Sequence, residues 1–226
     1  MHVWPATADE LIEVQKQLAL ATPPPWHPSG TDIAIGGCFV CFERGPSGPG
    51  RKGEAAWAGA AVVRSGGLIE SAVVTGEAGD AYEAGLLALR EGPILESAVK
   101  ALTYRPDVLL VDATGRDHPR RAGLALQLGA VLDLPTVGVT HRPLLAAGEA
   151  RDRSPLRIDD ELVGYWFVTR AGTRPLAVHA AWRSDPETAV AVVRASLMSA
   201  RTPEPLRAAR TAARSARASR SLRPSP

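Results

Sequence analysis

The run Val108-Leu109-Leu110-Val111-Asp112, with the loop Ala113-Thr114-Gly115-Arg116-Asp117-His118-Pro119-Arg120-Arg121 behind it, constrains this chain more than any other stretch. Four apolar residues read as a buried strand. The carboxylate that closes it stands at the strand's carboxyl end, where open α/β sheets place their ligands. A carboxylate held there suits a hard cation, which takes oxygen ligands. The arginines beside it suit a phosphate, whose oxygens match the guanidinium fork. Together they point to metal-assisted chemistry on a phosphodiester.

The elements around that strand follow from spacing. Thr7-Ala8-Asp9-Glu10 reads as a capping box ahead of Leu11, Ile12, Val14 and Leu18, so an amphipathic helix is expected, stopped by Pro23-Pro24-Pro25. Extended stretches follow at about 32–43, 54–64 and 67–75, separated by Gly45-Pro46-Ser47-Gly48-Pro49-Gly50 and Gly66-Gly67. Connections that short suit antiparallel neighbours. The pattern then changes: 83–103 has helical spacing, 107–112 is a β run, 120–132 is helical and 135–140 is β again, a parallel crossover section. Strands are expected at 161–169 and 174–181, and a helix over 185–200 after Ser184-Asp185-Pro186-Glu187. An antiparallel meander followed by parallel strands, with helices on both faces of a mixed sheet, is the order of a ribonuclease H-like α/β fold.

The 226 residues suit one large domain, here residues 1–200, plus a tail, 201–226. The formal charge of +2 hides an asymmetry, because the tail holds seven arginines and one glutamate, net +6, which leaves about −4 for the rest. Arg207, Arg210, Arg214, Arg217 and Arg220, three and four apart, read as a basic helical stripe, as a flexible arm that follows phosphates, or as a solvated terminus. No apolar run approaches the roughly 20 residues that cross a bilayer, and charged residues stand where a signal peptide would be apolar, so a soluble cytoplasmic protein is expected. Cys38 and Cys41 have C-x-x-C spacing but lie in a strand-like run, where positions three apart face opposite sides. They read as two core thiols.

Gly85-Leu86-Leu87 with Arg90-Glu91-Gly92-Pro93, then Pro106-Asp107 leading into the strand that ends at Asp112, then Gly115, His118-Pro119-Arg120-Arg121-Ala122-Gly123 and Pro135-Thr136-Val137-Gly138-Val139, form an ordered series that resembles the endonuclease V family. The resemblance runs over roughly residues 8–207 and includes Pro203-Glu204-Pro205. It implies a ribonuclease H-like fold and cleavage of the second phosphodiester bond 3′ to deoxyinosine in DNA, with RNA as a further substrate. Mg2+, or Mn2+, is the implied cofactor. By position it makes Glu91 and Asp112 metal ligands, and His118 and His141 catalytic-site residues. Tyr82 becomes the wedge beside an everted base, and Gly85, Leu87 and Gly115 the lesion pocket. Arg120 and Arg121 read equally as phosphate contacts or as helix-start charges.

The chain also departs from that pattern. Aligned by sequence, the family's first catalytic aspartate falls on Gly37 within Ile33-Ala34-Ile35-Gly36-Gly37-Cys38-Phe39, and Asp32 is out of phase to replace it. His141 stands for the family's active-site lysine, Trp182 for a later histidine, and Glu83 and Ala84 for the residues that follow the wedge. His141 can carry part of the lysine's charge, shift the metal preference, or fill vacated space. A member that binds inosine-containing or other nucleic acid without efficient cleavage is therefore the alternative to an active nuclease. A ribonuclease H-like domain turned to another phosphodiester is a third reading. The sequence leaves the oligomeric state open.

Overall fold

The computed structural model describes residues 4–43 and 48–221, the last two by backbone alone. Gly45-Pro46-Ser47 of the first expected connection, the Arg220 side chain and everything past 221 lie outside the described residues. In chain order the elements are α1 (Ala8–Leu20), β1 (Ala34–Phe42), β2 (Ala55–Arg64), β3 (Gly67–Glu77), α2 (Leu87–Lys100), β4 (Val108–Val111), α3 (Leu124–Leu132), β5 (Thr136–Thr140), β6 (Pro155–Ile158), β7 (Glu161–Phe167), β8 (Leu176–Ala180), α4 (Pro186–Ala195) and α5 (Glu204–Ser221). One sheet runs β3-β2-β1-β4-β5-β8-β7-β6. β1, β2 and β3 form the antiparallel meander, β1-β4-β5 are parallel, and β8, β7 and β6 return antiparallel. This is the mixed ribonuclease H-like sheet that the order of elements implied.

Helices α1, α2 and α3 cover one face, where Leu11, Leu95, Ala98 and Leu126 pack with Cys38, Leu109 and Val111. Helices α4 and α5 cover the other, where Val190, Val193 and Leu206 pack with Ile35, Val108 and Leu110. Side-chain alternation along β4 thus feeds both cores, which is why its whole length is apolar. The capping box of α1 is present: Thr7 Oγ1 accepts from the Glu10 amide at 3.3 Å, and the Glu10 carboxylate accepts from the Thr7 amide at 3.2 Å. Cys38 and Cys41 are buried on opposite faces, the second against Trp57 and Ala213.

Three expectations change. Helix α2 begins at Leu87 rather than 83 because Gly85 has φ +80°, and α3 begins at Leu124 rather than 120 because Arg121 has φ +54°. The short strand β6 gave no alternating signal, and its leading Pro155 is tolerated because β6 is an edge strand. The arginine-rich segment expected as a tail outside the domain is largely α5, docked on β1, β2 and β3. Its Leu206, Ala209 and Ala213 are at most 2% exposed, so a small apolar face lies under the arginine stripe.

The close approach of α5 explains glycines on the sheet. A Cβ on Gly59 of β2 would stand 2.3 Å from the Ala209 carbonyl oxygen, and one on Gly37 of β1 would stand 2.4 Å from the Pro205 carbonyl carbon. On the other face, Pro93 sits inside α2 and the Trp4 ring lies across Gly92, where a Cβ would stand 2.4 Å from the ring. Trp4 Nε1 donates to Glu96 at 2.6 Å. The turn of α2 that carries Glu91 is thereby pinned from the outside.

Candidate active site

Asp112 follows the last residue of β4 and Glu91 lies on the second turn of α2. The two carboxylates are near enough to act on one another. Burial pushes Glu91 up to about 7, Arg90 opposes that shift, and the charge of Asp112 adds to it. Cys38 of β1, paired in register with Val111, lies close enough to feel both. Its thiol is pushed far above the ordinary value by burial, then by Asp112 and by Glu91. Each acid also opens onto its own concavity: Glu91 onto a groove of about 570 Å3 shared with Tyr82, Arg90 and Glu54, and Asp112 onto a shallow hollow shared with Thr140, His141 and Thr202.

This geometry corrects the alignment on β1. The side of Gly37 faces the first turn of α5, away from Glu91, whereas Cys38 feels both acids. One residue along a strand reverses the face, so the place of a third acid beside Glu91 and Asp112 belongs to Cys38 and not to Gly37. Asp32 is engaged elsewhere, by Arg64 at 2.8 Å and Ser65 at 2.7 Å. Trp182 is likewise not a site residue, since it packs against Gly129 and its amide donates to Thr136 Oγ1 at 3.1 Å. The side chain that reaches the site from the end of the chain is Arg210 of α5, whose Nη2 donates to Asp112 Oδ2 at 2.9 Å.

His118, Gly85 and Arg120 come together, but with one another rather than with the acids. The Gly85 carbonyl accepts from Gln15 Nε2 at 3.0 Å, from Arg120 Nη2 at 2.9 Å and from His118 Nε2 at 3.1 Å. The Arg120 amide donates to His118 Nδ1 at 3.2 Å, which fixes the neutral tautomer with its proton on Nε2. Burial holds His118 down at about 4, with the Gly85 hydrogen bond opposing. His118 therefore ties two loops and is not poised to exchange protons near neutral pH. Arg120 is spent on Gly85 and Gln15, and Arg121 on Glu161 at 2.9 Å and Asp159 at 3.4 Å.

The remaining expected residues are spread along the same rim. Tyr82 is 51% exposed at the mouth of the groove that Glu91 floors, with its amide held by the Pro49 carbonyl at 2.7 Å. Leu87 opens α2 and packs partly into the core. Gly115 is buried against β8, where a Cβ would stand 2.1 Å from the Ala180 carbonyl oxygen, so its role is close packing rather than a wall of an open cavity. His141 lines the Asp112 hollow and accepts from Arg201 Nη1 at 3.1 Å.

Two features escape sequence reasoning. One is Arg210. The other is a buried relay behind the His141 loop: Asp117, 0% exposed, accepts from the amides of Leu145 and Ala146, each at 2.8 Å, and His179 lies 3.7 Å from it and 2.9 Å from Thr140 Oγ1. Burial lowers the His179 pKa against the pull of Asp117. The signal for Arg210 was present as Leu206, Ala209 and Ala213, an apolar stripe at helical spacing. For Asp117 there was none, since a lone aspartate in a loop is usually solvated.

No group of three or more His, Cys, Asp and Glu among the described residues is arranged to hold a metal. Among the described residues, however, Glu91 makes no hydrogen bond, and Asp112 gives only Oδ2 to Arg210, leaving Oδ1 free. Carboxylate oxygens left open in this way are the donors a hard cation takes, and such an ion keeps water and takes phosphate oxygens from a substrate. A mixed sheet of this order, with helices on both faces, defines the ribonuclease H-like class of folds. Within that class the comparisons converge. A sequence model of the Endonuclease V family matches residues 34–211. The endonuclease V of Gloeobacter violaceus is 33% identical over 217 residues, 92% of this chain and 86% of that protein. That of Roseiflexus castenholzii is 40% identical over 114 residues, 48% of this chain, so the match spans about half of the relative's length, 51%. The crystal structure of endonuclease V from Streptomyces avermitilis superposes with a TM-score of 0.83 at 31% identity, covering 97% of this chain and 96% of that one. The Ciona intestinalis enzyme, in complex with a 24mer DNA containing an inosine followed by a ribo-adenosine, shares the fold at 18% identity, with a TM-score of 0.77 over 92% and 96% of the two chains. The chain belongs to the endonuclease V family.

Proposed function

We propose that this protein is a DNA-repair nuclease that cuts strands containing deoxyinosine on the 3′ side of the lesion. The observation that carries the reading is the placing of Asp112 at the carboxyl end of β4 and of Glu91 on α2, the helix packed on the same face of the family's own sheet as Cys38. Glu91 and Asp112 would hold Mg2+ or Mn2+, which when bound supplies an activated water and neutralises charge on the scissile phosphate. The ring of Tyr82, exposed at the groove mouth, is free to fill the space left by an everted base. The Gly85 loop is held rigid by its three donors and so keeps its shape as a strand enters. The protein's proposed place is the cytoplasm, with the nucleic acid it would cut. No helix among the described residues is long and apolar enough to cross a membrane.

The test is cleavage of an inosine-containing strand with Mg2+ and with Mn2+, using Asp112→Ala as control and an RNA strand as second substrate. A cut that depends on both inosine and Asp112 supports the reading, and no preference for inosine over an undamaged strand removes it. A specific observation favours a second reading, in which the protein binds such strands but cuts them poorly: a thiol stands at Cys38 and an arginine already occupies one oxygen of Asp112. Tight inosine-dependent binding with no detectable cleavage in either metal would decide for it.

A further inference from the structure

We propose that Arg210 binds the scissile phosphate, its guanidinium standing at Asp112 where a second cation would otherwise stand, so that the site works with one divalent ion and one arginine. The inference rests on the nuclease reading above and names the group that completes it.

Charge and ligand number come first. Two cations side by side need several shared anionic ligands, and here the strand position that feels both acids carries a thiol. Glu91 and Asp112 together bring two negative charges at most, enough for one dication. The place against Asp112 Oδ2 is filled by Arg210 Nη2 at 2.9 Å, while Oδ1 remains free on the same carboxylate. One acid therefore has one oxygen for a guanidinium and one for an ion.

The hydrogen bonding of Arg210 then separates it from the structural arginines of the fold. Arg201 donates to the carbonyls of Arg174 and Pro175 and to His141, and Arg90 to the Asp80 carbonyl and to Glu54. Among the described residues Arg210 has a single acceptor although its side chain is only 23% exposed, and its Nε is buried with no acceptor there. Buried donors are nearly always paired, so a guanidinium left this unsatisfied has capacity for an anion. The Phe39 ring, 4.9 Å from the guanidinium carbon, holds the plane beside the hollow that Asp112, Thr140, His141 and Thr202 line. Phosphate is the anion whose geometry the fork matches.

In the reaction, the oxygen of a water adds to phosphorus, the bond from phosphorus to the 3′ oxygen breaks, and the proton lost by the water ends on that leaving oxygen. The products are a 3′-hydroxyl and a 5′-phosphate. Arg210 exchanges no proton, since a guanidinium stays charged, and it offsets the charge on a non-bridging oxygen.

The test uses the full chain and its Arg210→Gln and Arg210→Lys variants on a labelled duplex with one deoxyinosine. Binding is measured against salt in Ca2+, single-turnover cleavage in Mg2+ and Mn2+, and divalent affinity by calorimetry. Losing one phosphate contact should lower the slope of log affinity against log salt by about 1. Cleavage should fall roughly 100-fold, and the lysine variant should recover part of both. The salt slope decides even if cleavage is slow. An unchanged slope overturns the proposal, and so does an Arg210→Gln protein that binds divalent ions more tightly and cuts faster, which would make Arg210 a lock on Asp112. Thermal melting checks the fold, and if the glutamine variant unfolds, Arg210→Met, which also removes the charge but keeps an apolar stem beside Phe39, carries the comparison. If the unaltered protein shows no preference for inosine, the nuclease reading falls and this one with it. If it prefers inosine and only the salt slope fails to respond, Arg210 alone is misassigned.

Discussion

Gly37 and Cys38 are neighbours on one strand and face different helices, and the consequences can be measured one residue at a time. Gly37→Asp would drive a Cβ to 2.4 Å from the backbone of Pro205. It should cost about 2 kcal/mol or more, seen as a lowered thermal midpoint with no gain in cleavage. Cys38→Asp should behave differently. A third acid beside Glu91 and Asp112 destabilises the protein without cations, because like charges are crowded in a buried site. Adding Mg2+ or Mn2+ should restore the midpoint and raise inosine-strand cleavage by about 10-fold or more, the scale of one added ligand in metal catalysis. If both variants melt alike and neither responds to divalent ions, the placement of Cys38 at the centre is wrong. Asp112 was marked as a candidate by its place at the end of an apolar strand, and Glu91 only by the ordered series of motifs that carries the family resemblance, since a glutamate before Gly-Pro is by itself usually a cap or a surface residue. The assignment on β1 was not legible, because a run of Gly-Gly-Cys carries no face-specific pattern to set the register.

The last helix shows the same division among elements. Its arginines were visible as a stripe, but whether they hang in solvent or lean on the sheet depends on whether the other face can approach closely. Ala209 and Ala213 on the helix and Gly59 on β2 make that approach possible, since small side chains on both partners let backbones meet. Gly59→Ala should therefore push α5 outward and loosen the Arg210 contact with Asp112, at a cost of roughly 1–3 kcal/mol. The expected readout is a fall in thermal midpoint together with faster amide exchange along α5. A drop without loss of α5 protection would show that the strain is absorbed within β2. Helix α2 was legible by contrast, since its apolar spacing and its Gly-Pro turn are local. Its true start was not, because it depends on the Gly85 carbonyl being held by Gln15, His118 and Arg120 from three other places in the chain.

For the molecule as a whole, the half-buried Glu91 and the buried His118 pull stability in opposite directions with pH. Glu91 is raised from 4.5 to about 7, so the folded state holds its proton more firmly than the unfolded state. Its contribution to stability is fully present below pH 4.5 and is lost as pH rises through about 7. His118 is lowered from 6.5 to about 4, so its contribution is present above pH 6.5 and is lost as pH falls toward 4. Glu91→Gln should remove the first dependence and leave the second, and His118→Asn the reverse, both read from denaturant midpoints between pH 4 and 8. A cation that displaces the Glu91 proton should bind more tightly as pH rises through about 7, and that dependence should vanish in Glu91→Gln. Equal pH profiles in all three proteins would refute the environments given to these residues.

By itself the sequence determined most of the order of elements and the mixed sheet, and marked two acids as candidates for the site, because hydrophobic period, capping and strand-end carboxylates are written in residues close together in the chain. Only the tertiary structure decided that Cys38 feels both acids while Gly37 faces α5, that His118 is a tie between loops, and that Arg210 closes on Asp112 from 98 positions away. Those outcomes depend on which face of a strand meets which helix and how closely, and packing distances between remote segments leave no local period to read.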